Sequence, residues 1–240
     1  PTHPELLDWL ARELQRGEWS LKRMQRRLVA SHAFRMSSRA ADALAEQRDP
    51  ENKLLHRANI QRLEAEAIRD SLLLISGRLD DRMHGASVMP HLTEFMEGRG
   101  RPGAGGPLDG DGRRSLYINV RRNFLSPLFL AFDFPTPFTT MGRRSTSNVP
   151  AQALTLMNNP FIVQQAEQWV RQTDSEADPA ARIRTLYLTA FNRPATEVEL
   201  QAAQEFLQAQ AAEFGSALDP RSWNDLAHVL LNVKEFVFVE

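Results

Sequence analysis

Apolar residues recur along much of the chain at the three- and four-residue spacing of a helix face. Leu6, Leu7, Leu10 and Leu14 follow Thr2-His3-Pro4-Glu5, a polar cap with Pro in the first turn, and Gly17 closes the run. Ser20 caps a second helix striped by Leu21, Met24 and Leu28, with Arg23, Arg26 and Arg27 mostly on its other sides. Residues 31–38 read as a turn or short irregular helix. Asp49-Pro50-Glu51 predicts a long helix running to about Ser76 and stopped by Gly77. Its core face is Leu54, Leu55, Ala58, Leu63, Ala67, Leu72 and Ile75. On it Arg62, Glu66 and Arg69 stand at spacings that allow ion pairs along one face. Glu64 and Glu66 also offer paired carboxylates for acid/base or metal chemistry, but no His stands at ligand spacing.

The helical pattern fails after Leu79 and returns near Pro127. Residues 98–112 hold seven of the twelve glycines and lack the Gly-Lys-Ser/Thr ending of a phosphate loop. Asp109-Gly110-Asp111-Gly112 resembles the opening of a calcium loop, but Arg113 takes the next ligand position. His84 and His91 lie in loop-like sequence with no carboxylate to complete a metal set. Residues 116–121 alternate with period two, which predicts a short strand; the other β-like run is 236–239. Pro127 opens a short apolar helix through Phe132. Further helices start at Asn148/Pro150, Asn159-Pro160 and Asp178-Pro179, at the capping box Thr196–Glu199, and at Ser222 with Asp225.

The pattern therefore predicts one mainly α-helical domain over 1–240, of seven to nine helices. It has a long proline-broken central segment at 132–159, a flexible Gly-rich loop at 97–112 and at most a small two-stranded β element.

Composition narrows the chemistry. The 42% hydrophobic and 25% charged fractions are those of a globular domain, and no apolar run reaches the ~18 residues of a membrane span. The absence of cysteine excludes disulfides, thiolate metal sites and covalent c-type haem within this chain, and no cofactor is expected. A net charge of −1 argues against nucleic acid as a partner. The charge is uneven: residues 111–147 carry six Arg against two Asp and residues 148–240 six basic against twelve acidic residues, which points to internal pairing more than to a polyanion site.

Within the central segment, Asp133-Phe134-Pro135, Gly142-Arg143-Arg144, Thr146 to Pro150, Gln152-Ala153-Leu154 and Leu156 to Phe161 occur in an order that resembles the planctomycete surface domain family, a domain of unknown function. The opening His3-Pro4-Glu5-Leu6-Leu7 block, residues 59–70 and the ending Leu226 to Phe236 agree with it. The resemblance implies a C-terminal piece of a large exported protein, extracellular or in the cell envelope, shortened at its N-terminal end. Its companions would be other domains of the parent, among them a cytochrome c-like one. The family offers no catalytic residues to carry over.

Two functional readings follow. In the first, the chain is a non-catalytic structural or interaction module, more an interaction part than an enzyme. Arg143 and Arg144 pair with Asp133, or with Glu64 or Glu66, while Asn148, Asn158 and Asn159 serve as helix caps. In the second, Arg121, Arg122, Arg143 and Arg144, with Asp133, Asn148, Gln152, Asn158 and Asn159, form a site for an extracellular carbohydrate or other anionic polymer. The arginine pair is the point of division, because a guanidinium is costly to bury unless fully paired.

Overall fold

The capping signals at both ends of the sequence become helices in the structure, a computed structural model that describes residues 1–40 and 42–239. The chain is mainly helical, with eleven α-helices among the described residues rather than the seven to nine predicted, because several are a single turn. Gln61–Arg62 (β1) and Phe238–Val239 (β2) form a two-stranded antiparallel sheet. Packing divides the described residues into two compact units, those of 1–61 with 238 and 239, and 62–237.

The first unit holds α1 (Pro4–Arg16), α2 (Leu21–Val29) and α3 (Ala43–Arg48). Ser20 accepts a hydrogen bond from the Arg23 N–H, as its position before α2 predicts. None of these helices contains a buried residue, and Leu6, Leu7, Leu21, Leu28 and Phe34 are exposed.

The long helix predicted from Asp49 does not form. Asp49 accepts the Lys53 and Leu54 N–H groups at 2.8 and 2.6 Å, but it closes a turn. Asn52 (φ 52°) and Leu55 (φ 58°) stand in the left-handed region, which a helix interior does not contain. The buried Asn52 amide donates to Arg57 O and Asn59 Oδ1 and accepts from the Arg57 N–H. The chain thus coils around Asn52, and Leu54 and Leu55 end exposed.

The second unit begins with α4 (Ala65–Ile75) and continues with α5 (Pro127–Ala131), α6 (Pro150–Asn158), α7 (Pro160–Arg171), α8 (Pro179–Phe191), α9 (Glu197–Phe214), α10 (Pro220–Leu231) and α11 (Lys234–Val237). Its centre is the packing of α7 on α10. Ile162, Ala166, Trp169 and Val170 from one helix, and Trp223, Leu226, Ala227 and Leu230 from the other, are buried. Burying each large aliphatic side chain contributes roughly 1.5–3 kcal/mol, so this pair supplies much of the unit's stability. The Thr196–Glu199 capping box is present at the start of α9, whereas α10 is capped by Asp219 rather than by Ser222.

Between α4 and α5 the chain is irregular, and the strand predicted at 116–121 is absent. Ser115, not Leu116, points inward: its N–H and Oγ both donate to Asp70 at 2.7 Å, which bends Ser115–Tyr117 into a 3-10 turn. What remains is a parallel bridge of Ile118 with Val88. The Gly-rich stretch divides likewise. A Cβ at Gly98, Gly100 or Gly103 would meet open space, but one at Gly106 would lie 1.8 Å from Met89 O, and one at Gly112 2.1 Å from Arg78 O. The part from Gly106 to Gly112 is packed structure and not a loose loop.

Candidate functional site

Asp133 follows α5 with φ 59°, and this left-handed turn directs its carboxylate inward. It accepts Arg62 Nη2 at 2.6 Å, the Ser147 N–H at 2.7 Å and Ser147 Oγ at 2.9 Å. Gln152, buried on α6, donates to Ser147 O and Oγ and ties the helix into the same cluster. The Arg62 side chain is only 4% exposed and its guanidinium lies 5.2 Å from the Phe132 ring centre. Its Nε and Nη1 are buried without a hydrogen-bond partner, so Asp133 carries the whole polar compensation for that charge.

The expected pairing of Asp133 with Arg143 or Arg144 is thus replaced by one with Arg62. Arg144 reaches the first turn of α4, where it meets Glu66 in a two-pronged pair at 2.8 and 2.9 Å and Glu64 at 3.1 Å. The pair is superficial, with 39% of the Arg144 side chain exposed. Hydrogen bonding to Glu66 pushes the Arg144 pKa up from its ordinary value. The ion pairs expected between Glu66 and Arg62 or Arg69 are absent, since Arg62 precedes the helix and Arg69 turns inward.

Arg121, Arg122, Arg143 and Asn148 are exposed, with Arg121 near Met89 Sδ at 3.9 Å. Asn148 is not a cap, because Val149 precedes α6. Asn158 donates to Leu154 O inside α6 and likewise caps nothing, whereas Asn159 accepts the Phe161 N–H at 3.0 Å and caps α7. Of the candidate residues the structure therefore assembles Asp133 with Gln152, and Arg144 with Glu64 and Glu66. Asn158 and Asn159 stand apart, on the wall of a cleft.

That cleft, of about 530 Å³, opens where α5, α6 and α7 meet the irregular chain before α5. Leu108, Pro127, Leu128, Leu154, Pro160 and Phe161 give it an apolar lining, and Thr93, Ser126, Thr155 and Asn158 add polar edges. Its ionisable lining residues are His91 and Arg69. His91 Nδ1 donates to Gly106 O at 3.2 Å. Arg69, 5% exposed, donates through Nη1 to Arg113 O and Ser115 Oγ and through Nη2 to Asp109 O, and lies 5.5 Å from the Phe161 ring centre. Burial pushes its pKa down from the ordinary value, against the pull of Asp70 and Asp109.

Sequence reasoning misses Arg69 by treating it as a surface ion-pair member. The signal was there: Ala65, Arg69, Leu72 and Ser76 follow one another at helix-face spacing, which places an arginine on the buried side of α4. Among the described residues no group of three His, Asp or Glu side chains is placed to hold a metal ion.

The motifs that fold into this site are those that carry the family resemblance, Asp133-Phe134-Pro135 through Asn159-Pro160-Phe161. No curated protein and no solved structure matches the chain. A family match covers residues 1–207, cleft and Asp133 cluster included, and the chain belongs to that family, PSD1, a protein family of unknown function (DUF1553).

Proposed function

We propose that the chain is a non-catalytic interaction module of a large exported, envelope-associated bacterial protein, and that the cleft beside Asn158-Asn159-Pro160-Phe161 is where it binds. The cleft itself carries this reading: a concave, largely apolar space with a few polar groups at its edge is the usual form of a small-ligand site. The central charges support it, since Asp133 is held by Arg62 and Ser147, and Arg144 by Glu66 and Glu64, which makes them scaffold. The domains of the parent protein that the family resemblance implies, a cytochrome c-like one among them, are the natural neighbours of such a module.

Ligand-observed NMR against a chemically diverse fragment set tests the proposal, with Leu154→Arg as the blocked control. Leu154 lines the cleft and is 58% exposed, so the change fills the space without disturbing the core. Fragments that bind the wild type and are lost in the variant support the proposal; a set with no such fragment overturns it.

The exposure of Arg121, Arg122 and Arg143 favours a second reading, an anionic-polymer surface. Salt-dependent retention on a sulfated polysaccharide column, lost when all three become Ala, is its expected result. Equal elution of the two proteins refutes it.

A further inference from the structure

Arg69 is a buried cation whose close partners are mostly neutral. Its Nη1 and Nη2 donate to two main-chain carbonyls and a serine hydroxyl, and the nearest carboxylate oxygen, Asp70 Oδ1, stands at 3.5 Å. That carboxylate is itself engaged by the Ser115 N–H and Oγ at 2.7 Å. Three of the five guanidinium hydrogens point at these fixed acceptors. Nε–H has no acceptor among the described residues, and Nη2, with two hydrogens, donates to one acceptor there. Two parallel N–H groups on one planar edge match the two oxygens of a carboxylate. The carbonyls that hold the guanidinium fix it in place, so little side-chain freedom remains to be lost on binding.

The rest of the lining selects the remainder of the ligand. Leu108, Pro127, Leu128, Leu154 and Pro160 favour an aliphatic body over a sugar. A sugar-stacking site uses an open aromatic face, yet the one phenyl ring in the lining, Phe161, is buried beneath Arg69.

We infer that the cleft takes a small amphiphilic carboxylate, its apolar body along Leu128 and Leu154 and its carboxylate on the free edge of Arg69. This rests on the reading of the cleft as the binding site and adds the class of ligand. The anion sits in a poorly solvated space, where a charge-assisted pair discriminates more strongly than in water.

The test is titration of the full chain, followed by calorimetry and by the Arg Nε–H resonances, with octanoate below its micelle concentration, octan-1-ol and octylamine. The expected result is octanoate at least ten-fold tighter than octan-1-ol, no binding of octylamine, a shift of the Arg69 Nε–H signal and loss of octanoate binding in Leu154→Arg. Arg69→Lys, if it folds, should reduce the preference for octanoate over the alcohol to below three-fold. If it does not fold, the octanoate-to-octanol ratio in the wild type decides alone. Equal affinity for octanoate and octan-1-ol overturns the inference while leaving the cleft a binding site. Fragment binding that Leu154→Arg abolishes, with none of the three probes bound, has the same meaning. Absence of any ligand from the cleft overturns the inference and the proposed function together.

Discussion

Replacing Asp133 should destabilise the second unit more than any change to the arginine pair that follows it. Among the described residues the Asp133 carboxylate is the only hydrogen-bond partner of the Arg62 guanidinium, whose side chain is 4% exposed. Removing one partner of a buried pair costs about 3–5 kcal/mol, because the other charge stays desolvated and unpaired. The Asp133 side chain is 19% exposed, so water reaches the gap and the lower half of that range applies. Ala at φ 59° adds about 1 kcal/mol of left-handed strain. Asp133→Ala should therefore lose about 4 kcal/mol. Asp133→Asn tolerates the turn and keeps one acceptor for the Ser147 N–H, and should lose about 2–3 kcal/mol. Equilibrium urea denaturation followed by circular dichroism gives both values. Adding Arg62→Met removes the stranded charge, so the double variant should be at least about 1 kcal/mol more stable than the sum of the two single changes implies. A loss below about 1 kcal/mol in Asp133→Ala, or a strictly additive cycle, would refute the reasoning.

Arg144→Ala, by contrast, should cost less than about 1 kcal/mol in the same denaturation series, since its pairs with Glu66 and Glu64 lie at the surface; a loss of 3 kcal/mol or more would show that the pair is desolvated. Gly112→Ala should lower the melting temperature, because a Cβ there meets Arg78 O at 2.1 Å and the residue stands at φ 70°. Replacing 98–104 with a Gly/Ser linker should leave stability within about 1 kcal/mol; equal effects of the two changes would contradict the division of this stretch. Glu199 is drawn down from 4.5 to about 2, first by Arg193, which also holds Glu235, and by the Thr196 backbone and hydroxyl against desolvation. A lowered carboxylate pKa contributes stability that is complete above 4.5 and is lost as the pH falls from there to about 2. Stability measured across that window should fall less steeply in Glu199→Gln, and an unchanged slope would remove Glu199 from the account.

Where local chemistry and burial agree, the fold was legible. The α7 stripe of Ile162, Ala166, Trp169 and Val170 is buried as its spacing requires, and Asn159-Pro160 and Thr196–Glu199 start helices where caps predict. Legibility failed where a side chain competes for the backbone. Asn52 draws Arg57 and Asn59 around itself and defeats a strong Asp-Pro-Glu start signal, while Asp70 captures Ser115 and turns a period-two run into a bend. The site was half legible. Of the cleft lining the sequence marked Asn158 and Asn159 and missed Arg69; beside it, Asp133 and Gln152 were marked, but Asp133 was given the wrong arginine, because Arg62 lies seventy-one residues upstream and nothing local announces the contact.

The tryptophans divide between the two units in a way that makes them optical reporters. Trp9 and Trp19, 47% and 67% exposed, belong to the first unit, while Trp169 and Trp223, each 1% exposed, belong to the second. Intrinsic emission should therefore consist of a red component open to iodide quenching and a blue component shielded from it. The blue component carries its own signature, since the Arg182 guanidinium lies 4.3 Å from the Trp223 ring centre. The loss of the shielded blue component thus follows the unfolding of the second unit without a label.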